Sequence, residues 1–98
     1  MTSSRLSFEV AATAARFYLP GQPPYTLTNT GSEDVYYSTS PDMPAAALAG
    51  DAAGLQAVAD GRIAAGKSVS FGANVRSVLL ACATGKTSTV EPASGVAV

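Results

Sequence analysis

The chain is predicted to be all-β, a small antiparallel β-sandwich or partly open barrel of about six short strands, with one short helix or ordered loop in the middle. Apolar and polar residues alternate over short stretches, clusters of turn-forming residues separate those stretches, and the strand–helix–strand alternation of a parallel sheet is missing. With 98 residues, the chain reads as a single β domain, residues 1–98, with irregular termini. A chain of this size has one core, which buries roughly two thirds of the unfolded surface.

Leu6, Phe8 and Val10 alternate with Ser7 and Glu9, the period of a half-buried strand. Arg16-Phe17-Tyr18-Leu19 extends that strand or begins a second one. Pro20-Gly21-Gln22-Pro23-Pro24 then makes a loop, because proline fixes φ and removes amide donors. Tyr25-Thr26-Leu27-Thr28-Asn29 alternates again, and the turn formers Thr30-Gly31-Ser32-Glu33-Asp34 precede Val35-Tyr36-Tyr37-Ser38. This order predicts a hairpin, with Gly31 at a positive-φ position. In the returning strand Val35 and Tyr37 share the inner face, which turns Tyr36 outward.

Between 41 and 66 the period of two is lost, and ten of the residues from 45 to 65 are Ala. Leu48, Ala52, Leu55 and Ala59 fall at helical spacing, with Asp51 placed to cap and Gly61 to end a short helix between Pro44 and Gly61. Lys67-Ser68-Val69-Ser70-Phe71 returns to strict alternation. Arg76 to Ala83 is nearly continuously apolar from Val78 onward, as in a central strand covered on both faces. Thr84-Gly85-Lys86 then predicts a second hairpin into Thr87-Ser88-Thr89-Val90-Glu91. Pro92 and Gly95 make the tail irregular or an edge segment.

Composition narrows the chemistry. Four Tyr, three Phe and no Trp in a chain rich in Ala predict a thin core. Six basic and seven acidic side chains are scattered along the chain. That leaves no basic stripe for nucleic acid and no polybasic membrane anchor. The lone Cys82 cannot pair within the chain and suits a domain folding in a reducing cytosol. It sits in an apolar run and reads as a core thiol. Neither a signal peptide nor a membrane-spanning apolar run is visible.

The sequence holds no His, which excludes a Ser–His triad and the commonest metal ligand. Gly85-Lys86-Thr87 looks like the end of a phosphate loop, but Leu80 stands where its first glycine belongs, so the segment reads as a turn. Glu33-Asp34, Asp42, Asp51 and Asp60 match no calcium-loop spacing. No catalytic, cofactor or metal residue is therefore assigned. The candidate contact residues are Tyr36, together with Met43, Pro44 and Leu48 of the Ala-rich connection.

The order of segments resembles that of small bacteriophage virion proteins of the head decoration or head-fibre type. The resemblance spans residues 17 to 91. It rests on Leu19-Pro20, on Tyr25-Thr26-Leu27-Thr28-Asn29-Thr30-Gly31-Ser32-Glu33-Asp34-Val35-Tyr36, on Ile63-Ala64-Ala65-Gly66-Lys67-Ser68-Val69-Ser70-Phe71, and on Leu79-Leu80-Ala81-Cys82-Ala83-Thr84-Gly85-Lys86-Thr87-Ser88-Thr89-Val90. It implies a non-catalytic virion protein, made in the host cytoplasm, that docks on the major capsid protein or another virion protein, with homo-oligomerisation as a further expectation. The alternative expectation is a carbohydrate- or receptor-binding module of a phage tail or fibre.

Overall fold

The computed structural model describes residues 7–19, 24–72 and 75–94. Leu6, Pro20 to Pro23 and Gly95, which entered the expectations above, lie outside the described residues. Eight strands are present: β1 (Phe8–Val10), β2 (Ala15–Tyr18), β3 (Tyr25–Asn29), β4 (Val35–Ser38), β5 (Gly61–Ile63), β6 (Ser68–Phe71), β7 (Ser77–Ala81) and β8 (Ser88–Ser94). They form two four-stranded sheets in the orders β1-β8-β3-β6 and β2-β7-β4-β5. All described ladders are antiparallel.

The expected sandwich is therefore found, as two open sheets rather than a closed barrel. Its connections differ from the expected ones. The segments at 30–34 and 82–87 are not hairpins: β3 pairs with β6 and β8, while β4 pairs with β5 and β7. Each of these turns carries the chain from one sheet to the other. Arg16 to Tyr18 likewise belong to a separate strand, in the sheet opposite β1. Every connection but β4–β5 crosses between sheets, and eight strands ordered in this way are a jelly roll.

Alternation explains which face each strand buries. In β3, Tyr25, Leu27 and Asn29 are buried while Thr26 and Thr28 face outward, where their hydroxyls pair with Ser70 and Ser68 of β6 at 3.3 and 2.8 Å. Phe8, Leu27, Val35, Val78, Leu80 and Val90 meet between the sheets. Phe8 stacks on Phe17 at 4.4 Å between centroids, and Tyr37 meets Phe71 edge-on at 5.2 Å. β7 is interior and covered on both sides, as its apolar run predicts. Val78 and Leu80 enter the inter-sheet core, whereas Leu79 and Ala81 enter a second cluster on the outer face.

That second cluster is roofed by the connection from β4 to β5, which we call the strap. It carries a 3-10 turn, Ala45–Ala47, and the helix α1, Ala52–Val58. Asp51 caps α1 as expected, its Oδ1 accepting from the Gly54 amide at 2.8 Å. Leu48 and Leu55 are fully buried. Gly61 does not end the helix, because Ala59 already leaves it in extended conformation and Gly61 opens β5. This edge strand was absent from the sequence reading. Only three residues long, with Gly at one end, it lacks a visible period. Pro92 lies within β8, opposite Leu27 and two residues past the last described pair with β1, Phe8–Val90.

Candidate functional site

The polar residue at the centre of the scaffold is Asn29, at the end of β3 and fully buried. Its Nδ2 donates to the carbonyls of Glu33 at 2.7 Å and Ile63 at 2.8 Å. Its Oδ1 accepts from the Gly31 amide at 3.1 Å and the Ser88 hydroxyl at 2.7 Å. Every hydrogen-bonding position of the carboxamide is used. One side chain thus ties the β3–β4 crossover to β5 in one sheet and β8 in the other. With all its positions filled it has none left for a substrate, and it acts as a structural cross-tie.

Gly31 belongs to the same knot, though not for the expected reason. Positive φ occurs at Gly50, Gly66 and Gly85, and not at Gly31. What Gly31 supplies is closeness: a Cβ there would overlap Ser88 Oγ and lie 2.7 Å from the Thr89 amide nitrogen. Arg16 is a second structural tie. From β2 its guanidinium donates to the Ser77 hydroxyl at 3.1 Å and to the carbonyls of Ser40 at 3.1 Å and Met43 at 3.0 Å, fastening the start of the strap.

The candidate contact residues separate into two pairs. Tyr36 does point away from the inter-sheet core, but the strap covers it and leaves it 3% exposed among Leu48, Leu55, Leu79 and Ala81. The alternation argument placed the face correctly and missed the roof over it. Leu48 is fully buried in the same cluster, so neither side chain offers contact area. Met43 is half-buried and Pro44 exposed. Tyr18, at the end of β2, is far more open at 73%.

The described residues line at least three clefts. Two flank Tyr36: one of about 210 Å³ reaches Glu33, Asp34 and Lys86, the other of about 240 Å³ reaches Gln56, Asp60 and Arg62. Both are smaller than the roughly 300 Å³ at which ligand pockets begin. Four of their five charges are engaged in exposed pairs, Arg62–Asp34 at 3.6 Å and Lys86–Glu33 at 4.0 Å, the kind that contributes little to stability, and the fifth, Asp60, accepts from Thr39. The third cleft, about 310 Å³, is lined by Ala12, Thr13, Ala14, Ala45, Ala46 and Ala49. Nearly all methyl groups, it lacks the convergent polar groups that orient a small ligand. Among the described residues no three of His, Cys, Asp or Glu come together as metal ligands, and no helix is long and apolar enough to cross a membrane.

Cys82 follows β7 with its thiol fully buried, 3.7 Å from the Val10 carbonyl. Burial pushes the thiol up to about 11, with the charges of Glu33 and Asp34 adding to the effect. A thiol that stays protonated and enclosed is a poor nucleophile. In the unfolded chain the group ionises near 9.0, so it favours the fold below that pH. As pH rises through the folded value this contribution is lost. Chemical denaturation between pH 8 and 11 should therefore show a steeper fall in stability for the native chain than for Cys82→Ala. Equal slopes would mean that the thiol is not protected by the fold.

Sequence reasoning missed Asn29, Gly31 as a contact glycine, and Arg16. Asn29 stands among turn formers and Arg16 in a strand, and nothing local to either shows that it reaches a carbonyl more than twenty residues away. No family model, no curated protein and no solved structure matches the chain.

Proposed function

We propose that the chain is a structural protein of a bacteriophage particle, a decoration protein that docks on the head and stabilises or decorates it without catalysis. What supports the reading is that the polar and reactive groups of the interior are engaged in holding the scaffold. Asn29 and Arg16 are cross-ties, and Cys82 is enclosed. The jelly roll itself is shared by viral capsid domains, lectins and cupins, so the fold alone decides nothing. The sequence holds no His, so an imidazole-based metal site is unavailable to it.

The surface that suits docking runs along β2. It begins at the alanine-lined cleft of Ala12 to Ala14 and Ala45, Ala46 and Ala49, and ends at the open ring of Tyr18. Pro44 stands exposed beside the cleft. Small apolar walls and one exposed Tyr fit an interface of modest strength, which repetition on a symmetric particle would multiply. The partner is the major capsid protein or another virion protein, with self-association as a further contact.

Sedimentation with assembled phage heads tests this. Binding should survive ~0.5 M salt, since few charges lie on this flank. Tyr18→Ala and Ala46→Asp should each weaken binding by about tenfold. Thr28→Ala, on the outer face of the opposite sheet, should leave it unchanged. Deleting 43–49 is not a usable probe because it removes the buried Leu48. Protein that ignores assembled heads yet is retained on host polysaccharide would replace this reading with the carbohydrate- or receptor-binding one.

A further inference from the structure

The strap is longer than the strand pair beneath it requires. Tyr37 and Gly61 are register neighbours in β4 and β5, so a short turn would join them. The base of the strap is closed by bonds of its own. The Asp60 amide donates to the Tyr37 carbonyl at 2.8 Å, and Asp60 Oδ2 accepts from the amide and hydroxyl of Thr39 at 2.7 and 2.9 Å. Residues between Ser40 and Ala59 can therefore move without unpairing a strand, as in a loop with tied ends.

Little holds this segment against the sheet. Two leucines, Leu48 and Leu55, are its fully buried side chains, set on Tyr36, Leu79 and Ala81. Among the described residues its polar ties are Arg16 to the Ser40 and Met43 carbonyls, the Thr84 amide to the Gly50 carbonyl at 3.0 Å, and the Ser40 amide to the nearby Ser38 hydroxyl at 3.4 Å. Ala45 to Ala47, 51–54 and 56–58 are exposed. The helix has seven residues, well below the ~12 at which an isolated helix becomes even marginal. Gly50 sits at φ 122°, a conformation that costs the chain entropy to hold. The sheets, by contrast, share one continuous core and ladders on both sides of β3, β4, β7 and β8.

We propose that residues 40–59 open as one unit while both sheets stay folded, uncovering the apolar outer face formed by Tyr36, Leu79 and Ala81. The strap is then a built-in cover with its own equilibrium, separate from global unfolding. The docking surface takes one wall, Ala45, Ala46 and Ala49, from the strap and so exists in the closed form, but opening is read on the isolated chain, so the two proposals fail separately.

Native-state hydrogen exchange on the intact chain reads it directly. The amides of Leu48, Leu55, Ala59 and Thr84, whose acceptors lie in the strap, should exchange as a group at least about tenfold faster than those of Leu19, Asn29 and Thr30, with weaker denaturant dependence. Leu55→Ala should speed the strap group by roughly a further 30-fold and change the sheet group by less than about twofold. Gly50→Ala, strained at that φ without touching the core, should act in the same direction and decides the matter if Leu55→Ala does not fold. Strap and sheet amides that share one rate and one denaturant dependence, or a Gly50→Ala change that speeds both groups equally, would overturn the proposal.

Discussion

Replacing Asn29 with leucine is expected to cost about 4 kcal/mol, because four partners, two of them buried and two part-buried, lose their bonds at about 1 kcal/mol each. The carbonyls of Glu33 and Ile63 lose a donor, and the Ser88 hydroxyl loses its acceptor. The Gly31 amide keeps only its 3.2 Å bond to the Thr89 carbonyl. In a domain of this size the melting temperature should fall by about 15–30 °C. Asn29→Asp separates hydrogen bonding from shape. It keeps the acceptor for Gly31 and Ser88 but turns a second oxygen toward two carbonyls, in a site where burial raises a carboxyl's pKa. A raised folded pKa favours the fold at low pH and loses that contribution as pH rises from about 4. The Asp variant should accordingly be least stable at neutral pH and recover on acidification, while the leucine variant's deficit stays flat over the same range. Thermal melts at pH 4.5 and 7.5 check both, and a flat profile for Asp would show that the site is open to water.

Gly31→Val should cost about 2–4 kcal/mol, a typical overpacking penalty together with the loss of a neighbouring hydrogen bond. The obstacle is the backbone of β8, since the Thr89 nitrogen and Ser88 Cα would lie 2.7 and 3.0 Å from the added carbon. Backbone in an interior strand cannot swing aside as a side chain can. Gly31→Ala should therefore be nearly as damaging as valine. Were the cause a positive φ, a D-alanine introduced by chemical synthesis would relieve it; on the contact argument it need not. Denaturant midpoints of the two L-variants make the comparison, and an alanine variant of native stability would refute the close approach.

The sequence was readable wherever a residue's partner is local or its period is clear. The alternation of 25–29 and 68–71 reports strands with one wet face. The run from Val78 to Cys82 reports a strand with none. Asp51 and Leu55 disclose a short capped helix because capping is a local property, whereas Leu48, read at the same helical spacing, lies outside it at the end of the 3-10 turn. What could not be read is which sheet each strand joins. The turn residues at 30–34 and 84–87 suit a hairpin and a crossover equally well, and the choice is made by Asn29 and by pairing over long separations. The same gap misplaced Tyr36, whose outward direction followed from alternation but whose cover lies in a segment with no β period. Of the candidate contact residues, Pro44 is exposed and Met43 is half-buried against the second cluster, while the exposed ring of Tyr18 was not among them. Exposure depends on which neighbours end nearby, and in an edge strand no residue pattern records that.

The place of β8 between β1 and β3 governs how the molecule is made. β8 is an interior strand contributed by the last described segment of the chain, and its partners are the first described strand and the third. While the chain emerges from a ribosome, β1 and one side of β3 have no ladder to join until residues 88–94 appear. Among the described pairings only β4–β5 joins consecutive strands, and those two are separated by the whole strap. Such a topology forgoes the early local contacts that speed folding, which places it among domains that fold in milliseconds to seconds rather than microseconds. During that interval the unpaired edges of β1 and β3 are open to neighbouring chains, so the yield of soluble protein should depend on how crowded the nascent molecules are.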